Sequence, residues 1–275
     1  MLRKTAVIGV VVAVLASLSA AGNTSAAPSK LSAAEIVQKN VAASGGLEAW
    51  RAVQSIRMTG TMQAGGNRRP TLPVPDVRAG KEMPALRPAE EAQLPFVLEL
   101  KRPRKMRMEL QFNGQTAIQV FDGTNGWKLR PFLNRHQVEP YTPEELKSSQ
   151  LQSELDGPLV DYQRKGTKIE LEGIEKVAGS DAYKLKLTLA NGDTQHVWID
   201  TKTFLESKIE GSPRRMDGKY HAVATYPKDY AEANGVLIPR TLETAVDGYS
   251  EVEKIRIDQV SINPKLDDAV FGKLK

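Results

Sequence analysis

Over most of its length the chain alternates apolar and polar residues with a period of two, the pattern of strands covered on one face. Ile56, Met58, Gly60 and Met62 open the series. Phe96 to Lys101, Met106 to Phe112 and Thr116 to Phe121 continue it, the last two joined through the Asn113-Gly114 hairpin signal. Ile169 and Leu171 alternate next, then Tyr183, Leu185, Leu187 and Leu189; Asn191-Gly192 turns the chain, and Val197 and Ile199 lead to Asp200. Further strands are expected over Phe204 to Ile209, Lys219 to Tyr226, Val236 to Thr244 and Val252 to Ile262. About eleven strands in sequence, mostly joined by short turns, predict a mainly β (α+β) fold: one antiparallel meander that curls and leaves a concave apolar face.

Two stretches carry the helical period instead. Ser32 and Glu35 have capping-box spacing, with Leu31 and Ile36 placed as a hydrophobic staple, so a helix should begin at Ser32. Ile36, Val37 and Val41 form its apolar stripe and Gly45-Gly46 ends it; Leu47, Trp50 and Val53 mark a shorter segment. The second helix is expected from Thr142, with Pro143 at the first helical position, Glu145 completing a capping box, Leu146, Leu151 and Leu155 on the apolar side, and Gly157 as the stop. Both amphipathic helices are natural lids for the concave face.

The first 27 residues read differently from the rest. Arg3 and Lys4 precede an almost unbroken apolar run from Ala6 to Leu18, and small residues follow through Ala27, which is the pattern of a secretory signal peptide cleaved within residues 21–27. The run is shorter than the roughly 20 residues that span a bilayer. Residues 28–275 are then expected to form one domain in an oxidising compartment, with no cysteine to carry a lipid, a disulfide or a thiolate. Residues 63–95 break all periodicity with six prolines and read as a mobile insertion between neighbouring strands.

Charge and chemistry narrow the function. Of 38 basic and 33 acidic residues, Arg3 and Lys4 leave with the signal, so 36 stand against 33 and the mature excess is +3; the basic residues are scattered, which argues against a nucleic-acid groove. Neither a His-Glu-x-x-His helix nor a Gly-x-Ser-x-Gly elbow nor a phosphate-binding glycine loop is present, and His136, His196 and His221 have no metal spacing. Neither a catalytic site nor a cofactor or metal site is therefore expected. Met58 with Met62, and Met106 with Met108, share strand faces, and flexible thioethers suit a cavity that fits varied chains.

Several motifs, in order, carry a resemblance: a first helix ending in Gly-Gly, the Phe121-Asp122-Gly123 to Gly126-Trp127 hairpin, the Val197-Trp198-Ile199-Asp200 strand end, the Asp229-Tyr230 to Gly235-Val236 and Pro239 segment, and the Asn263-Pro264, Asp267, Phe271 tail. Together they resemble the bacterial outer-membrane lipoprotein-sorting proteins of the LolA/LolB-like superfamily. The resemblance implies an open half-barrel of about eleven strands capped by helices, holding acyl chains of a lipid or lipoprotein in its hollow. Cavity candidates are then Met58, Met62, Met106, Met108, Phe112, Trp127, Leu185, Leu187 and Trp198, and lid candidates Ile36, Val37, Val41, Leu146, Leu151 and Leu155. The implied protein is a monomeric periplasmic carrier that meets membrane-bound donor and acceptor proteins. The alternatives are an envelope regulatory or sensor module that binds a protein partner, and an extracytoplasmic hydrolase with a site assembled from distant strands.

Overall fold

The computed structural model describes residues 31–64, 92–131, 135–216, 218–250 and 252–274. The signal-peptide reading and the core of the proline-rich insertion, residues 65–91, lie outside them.

Among the described residues thirteen strands make one antiparallel sheet. They are β1 (Ser55–Ala64), β2 (Ala92–Lys101), β3 (Lys105–Phe112), β4 (Gln115–Phe121), β5 (Gly126–Arg130), β6 (Arg135–Pro140), β7 (Lys168–Val177), β8 (Ser180–Thr188), β9 (Thr194–Asp200), β10 (Glu206–Met216), β11 (Lys219–Ala233), β12 (Val236–Val246) and β13 (Val252–Ile262). The order is β6-β5-β4-β3-β2-β1-β13-β12-β11-β10-β9-β8-β7, a meander whose two halves are joined where β1 pairs with β13. The expectation of about eleven strands falls short by β5 and β6. Both are short, and alternation fails in them: the face that should be apolar carries Gly126, covered by the Tyr141 ring, and Lys128, which reaches out to the Glu145 carboxylate. The expected insertion also loses its ends to the sheet, since Gln63 pairs with Gln93 and Ala64 with Ala92.

The helices begin where their caps predict. In α1 (Ala33–Ala43) the Ser32 hydroxyl accepts the Glu35 N–H at 3.3 Å and the Glu35 carboxylate accepts the Ser32 N–H at 2.8 Å. Thr142 and Glu145 repeat the box at α3 (Pro143–Gln152), while α2 (Leu47–Ala52) follows the Gly45-Gly46 break. Gly45 has φ +119°, and a Cβ there would stand 2.3 Å from the Gly235 oxygen, so glycine allows α1 to end hard against the start of β12. The third helix stops at Gln152, earlier than expected, and residues 153–167 continue as turns.

That α3 reaches both flanks of the sheet shows how far the sheet curls. Glu145 pairs with Lys128 on β5, and Lys147, two residues on, pairs with Asp193 before β9 at 2.9 Å. The two strands are nine steps apart in the sheet, about 43 Å if it were flat at about 4.8 Å per step. Only strong curvature brings them to one short helix. Bulges supply part of it: between Thr59 and Gly60 the pairing with β13 shifts register, and a Cβ on Gly60 would collide with the Arg256 oxygen at 1.9 Å.

Registers assign the faces. Ile56, Leu100, Met106 and Phe121 form one cross-strand row on the inner face; Met58, Leu98, Met108 and Gln119 form the next. Arg57, Glu99, Arg107, Val120 and Trp127 lie on the other face, where the C-terminal 3-10 helix Asp268–Phe271 docks: Lys101 and Lys105 hold Asp268 at 2.8 and 3.1 Å, Arg107 donates to the Val270 oxygen, and Phe271 is fully buried.

Candidate ligand cavity

Under α1 and α2 the inner face encloses a cavity of about 240 Å³. Met58 and Leu98 from the first half of the sheet meet Leu237, Leu242 and Ile257 from the second half, and Leu155, Leu159 and Val160 close it from the side. Beyond that closing segment, between α3 and β8–β11, lies a second hollow of about 410 Å³ lined by Leu151, Pro158, Leu189 and Ile209 with polar Gln195 and Thr225. Residues 154–167 stand between the two hollows and present side chains to both.

This dividing segment is pinned by charge. The Asp156 side chain is 2% exposed; its carboxylate accepts from Arg102 Nη2 at 2.7 Å and from Lys165 Nζ at 2.5 Å, and Arg102 also donates to the Trp50 and Val53 oxygens. Lys165 further holds the Gly157 oxygen at 2.7 Å. On the α2 side Arg51 binds Asp161 through both carboxylate oxygens, at 2.9 and 2.7 Å, which keeps the Asp161 carboxyl below its ordinary range. The Arg51 guanidinium is raised in turn by the same hydrogen bonds.

The polar groups at the cavity end are mostly committed to the backbone. Asn40 Nδ2 donates to the Phe204 oxygen at 2.8 Å, Ser44 Oγ to the Val41 oxygen at 3.1 Å, Trp50 Nε1 to the Ser44 oxygen at 3.1 Å, and Tyr230 Oη to the Glu206 oxygen at 3.0 Å. The Glu206 carboxylate is the exception. It faces the cavity and has no hydrogen-bond or ion-pair partner among the described residues, and burial alone pushes its pKa up to about 7. Burial and the nearby Glu206 charge raise the Tyr230 hydroxyl far above the usual phenol range.

The sequence-derived candidates divide by face. Met58 lines the cavity, and Met108 stands beside Leu98 in the same cross-strand row. Met106 is buried one row away against Phe121; Met62 pairs with Leu94 and Ile255, and Phe112 ends the same face of β3 opposite Gln115. Leu185 and Leu187 are fully buried inward-facing core. Trp127 and Trp198 are on the outer face. Trp127 pairs with Val120, and the Trp198 ring stacks under Lys208 Nζ at 4.0 Å while its Nε1 donates to Glu175 at 2.8 Å. Of the lid candidates, Ile36, Val37 and Val41 are buried, Leu146 is half-buried, Leu151 is exposed at the 410 Å³ hollow, and Leu155 belongs to the dividing segment, not to α3. Leu159, Val160, Glu206, Tyr230 and Leu242 line the cavity without having been cavity candidates in the sequence; the apolar Pro158-Leu159-Val160 run after Gly157 offered a signal for two of them.

His196 contacts Glu210 at 2.6 Å and Glu172 at 3.3 Å on the outer face, and His221 Nδ1 lies 2.9 Å from the Asp247 oxygen. Among the described residues no group of three or more metal-ligating side chains comes together, and no helix is long and apolar enough to cross a membrane.

No protein-family model matches the chain, and no protein of curated function matches it in sequence. Solved structures do. A LolA superfamily protein from Nitrosomonas europaea aligns over 89% of this chain and 99% of its own, with TM-score 0.53 and 15% identity. A domain described as an outer membrane lipoprotein-sorting protein from Vibrio parahaemolyticus aligns over 87% and 95%, with TM-score 0.51 and 13% identity. A DUF1329 family protein from Desulfovibrio piger aligns over 88% and 98%, with TM-score 0.51 and 14% identity. The match spans nearly the whole of each structure at an identity that speaks to architecture alone: this chain shares the fold of these structures, here a curled, unclosed antiparallel sheet with helices on its inner face.

Proposed function

We propose that the chain, after loss of its leader within residues 21–27, is a periplasmic carrier or binding protein that shields the acyl chains of a lipid or a lipid-modified protein. The observation that carries this reading is the apolar cavity under α1, walled by a segment that separates it from a second hollow. An acyl chain exposed to water costs roughly 0.8 kcal/mol per CH₂, so transfer across an aqueous space needs such a shield. At about 240 Å³ the cavity is below the roughly 300–1,000 Å³ of ordinary ligand sites, and displacement of the 154–167 segment would join it to the neighbouring 410 Å³. Uptake and release are then reversible binding steps without covalent chemistry. The chain acts as a monomer between a membrane-bound donor and acceptor.

Met58→Glu tests the reading. Met58 is only half-buried, so the charge stays hydrated while the hollow is empty and loses that water when a chain enters. Uptake of a fluorescent acyl probe should fall at least about tenfold, about 1.4 kcal/mol, with a nearly unchanged melting temperature. Full uptake by a folded Met58→Glu protein would overturn the reading.

A further inference from the structure

A hollow meant for hydrocarbon alone has no use for an unpartnered carboxylate, yet Glu206 faces this one. Its neighbours cannot neutralise it. The Asn40 amide, the Ser44 and Tyr230 hydroxyls and the Trp50 indole each donate to a backbone carbonyl. Lys39 on α1 lies over the Phe204 ring, and Asp156, the other acid of the cavity, is held by Arg102 and Lys165. The inner faces of β1, β2, β12 and β13 contribute apolar side chains to the lining. The polar end of the cavity therefore offers a strong acceptor, while the donors around it are engaged.

Resting on the carrier reading, we propose that Glu206 is the specificity-determining group of the cavity, and that the ligand carries an ammonium or hydroxyl group on the part of its alkyl chain that is buried. A carboxylate or phosphate buried at this point would meet a like charge and find no free donor. The mature excess of positive charge would, if it acted at long range, favour anionic ligands, so a preference for cations must come from the site itself.

Displacement of a neutral fluorescent probe, N-phenylnaphthylamine, by dodecylamine, dodecanol and dodecanoate tests this. In the wild-type protein at about pH 8, dodecylamine should bind about tenfold more tightly than dodecanoate, with dodecanol between them. Glu206→Gln should remove most of that preference. Dodecylamine stays cationic over the range, so its affinity should rise from about pH 5.5 to about pH 8.5 as the carboxyl ionises, and the rise should vanish in Glu206→Gln. His136, His196 and His221 do not line the cavity. If Glu206→Gln does not fold, the wild-type pH profile decides alone. Alkyl chains that bind regardless of head group, with a flat profile, would overturn the assignment to Glu206 and leave the carrier reading standing. Failure of every alkyl compound and of the probe to bind would overturn both.

Discussion

Two carboxylates line one cavity under opposite conditions. Asp156 is taken from water almost completely and given two cations, whereas Glu206 is half-buried against the cavity and given none. Burial of a charge costs several kcal/mol, and only a paired charge recovers it. The difference sorts structural from ligand-directed polarity: Asp156 fixes a wall, while Glu206 is left with an unmet demand that a ligand can satisfy. The contrast can be broken from either side.

The largest effect is expected at Asp156. Asp156→Ala leaves Arg102 without its carboxylate and Lys165 with only the longer contact to Glu154 at 3.4 Å, and denaturant unfolding should show a loss of about 3 kcal/mol. An effect below about 1 kcal/mol would mean that the two cations reach water unaided.

Glu206→Gln should act in the opposite direction. The Glu206 carboxyl rises from 4.5 to about 7, so the folded protein holds an extra proton between these values. Stability falls as pH rises through that window; below about pH 4.5 both states are protonated and the penalty disappears. At about pH 8 the substitution should stabilise the protein by on the order of 2 kcal/mol, allowing for the water that reaches a half-buried carboxylate, and by almost nothing at about pH 4. Parallel denaturation curves at the two pH values check this, and equal gains at both would assign the effect to packing and not to charge.

The smallest effect belongs to the exposed pair between Lys147 and Asp193. Lys147→Met should change stability by less than about 1 kcal/mol, because surface ion pairs contribute little. Stopped-flow uptake of the acyl probe should nevertheless accelerate, since the pair ties α3 to one flank of the sheet.

How much of this was legible in the sequence follows the range of the interactions. Ser32 with Glu35 and Thr142 with Glu145 announced their helices because a cap is complete within four residues. Alternation placed Met58 with Met62 and Met106 with Met108, but not on the concave face, because the other face is also covered, by Phe271 against β3. That is why Trp127 and Trp198 seemed equal candidates with the methionines. β5 hid because Lys128 is buried by a partner seventeen residues away. Glu206 was invisible for the same reason in reverse: at the start of Glu-Ser-Lys-Ile it looks like any solvated strand residue, and its isolation is produced by α1, β11 and β12, all distant in sequence.

A hydrogen-bonded sheet resists stretching far more than bending, and α3 spans it as a chord spans an arc. The chord is short: Glu145, tied to β5, and Lys147, tied to the turn before β9, are two residues and about 3 Å apart along the helix axis. The reach of these two ion pairs holds together strands that stand nine steps apart in the sheet, so the gauge of this container is kept by side chains that need never touch what it contains.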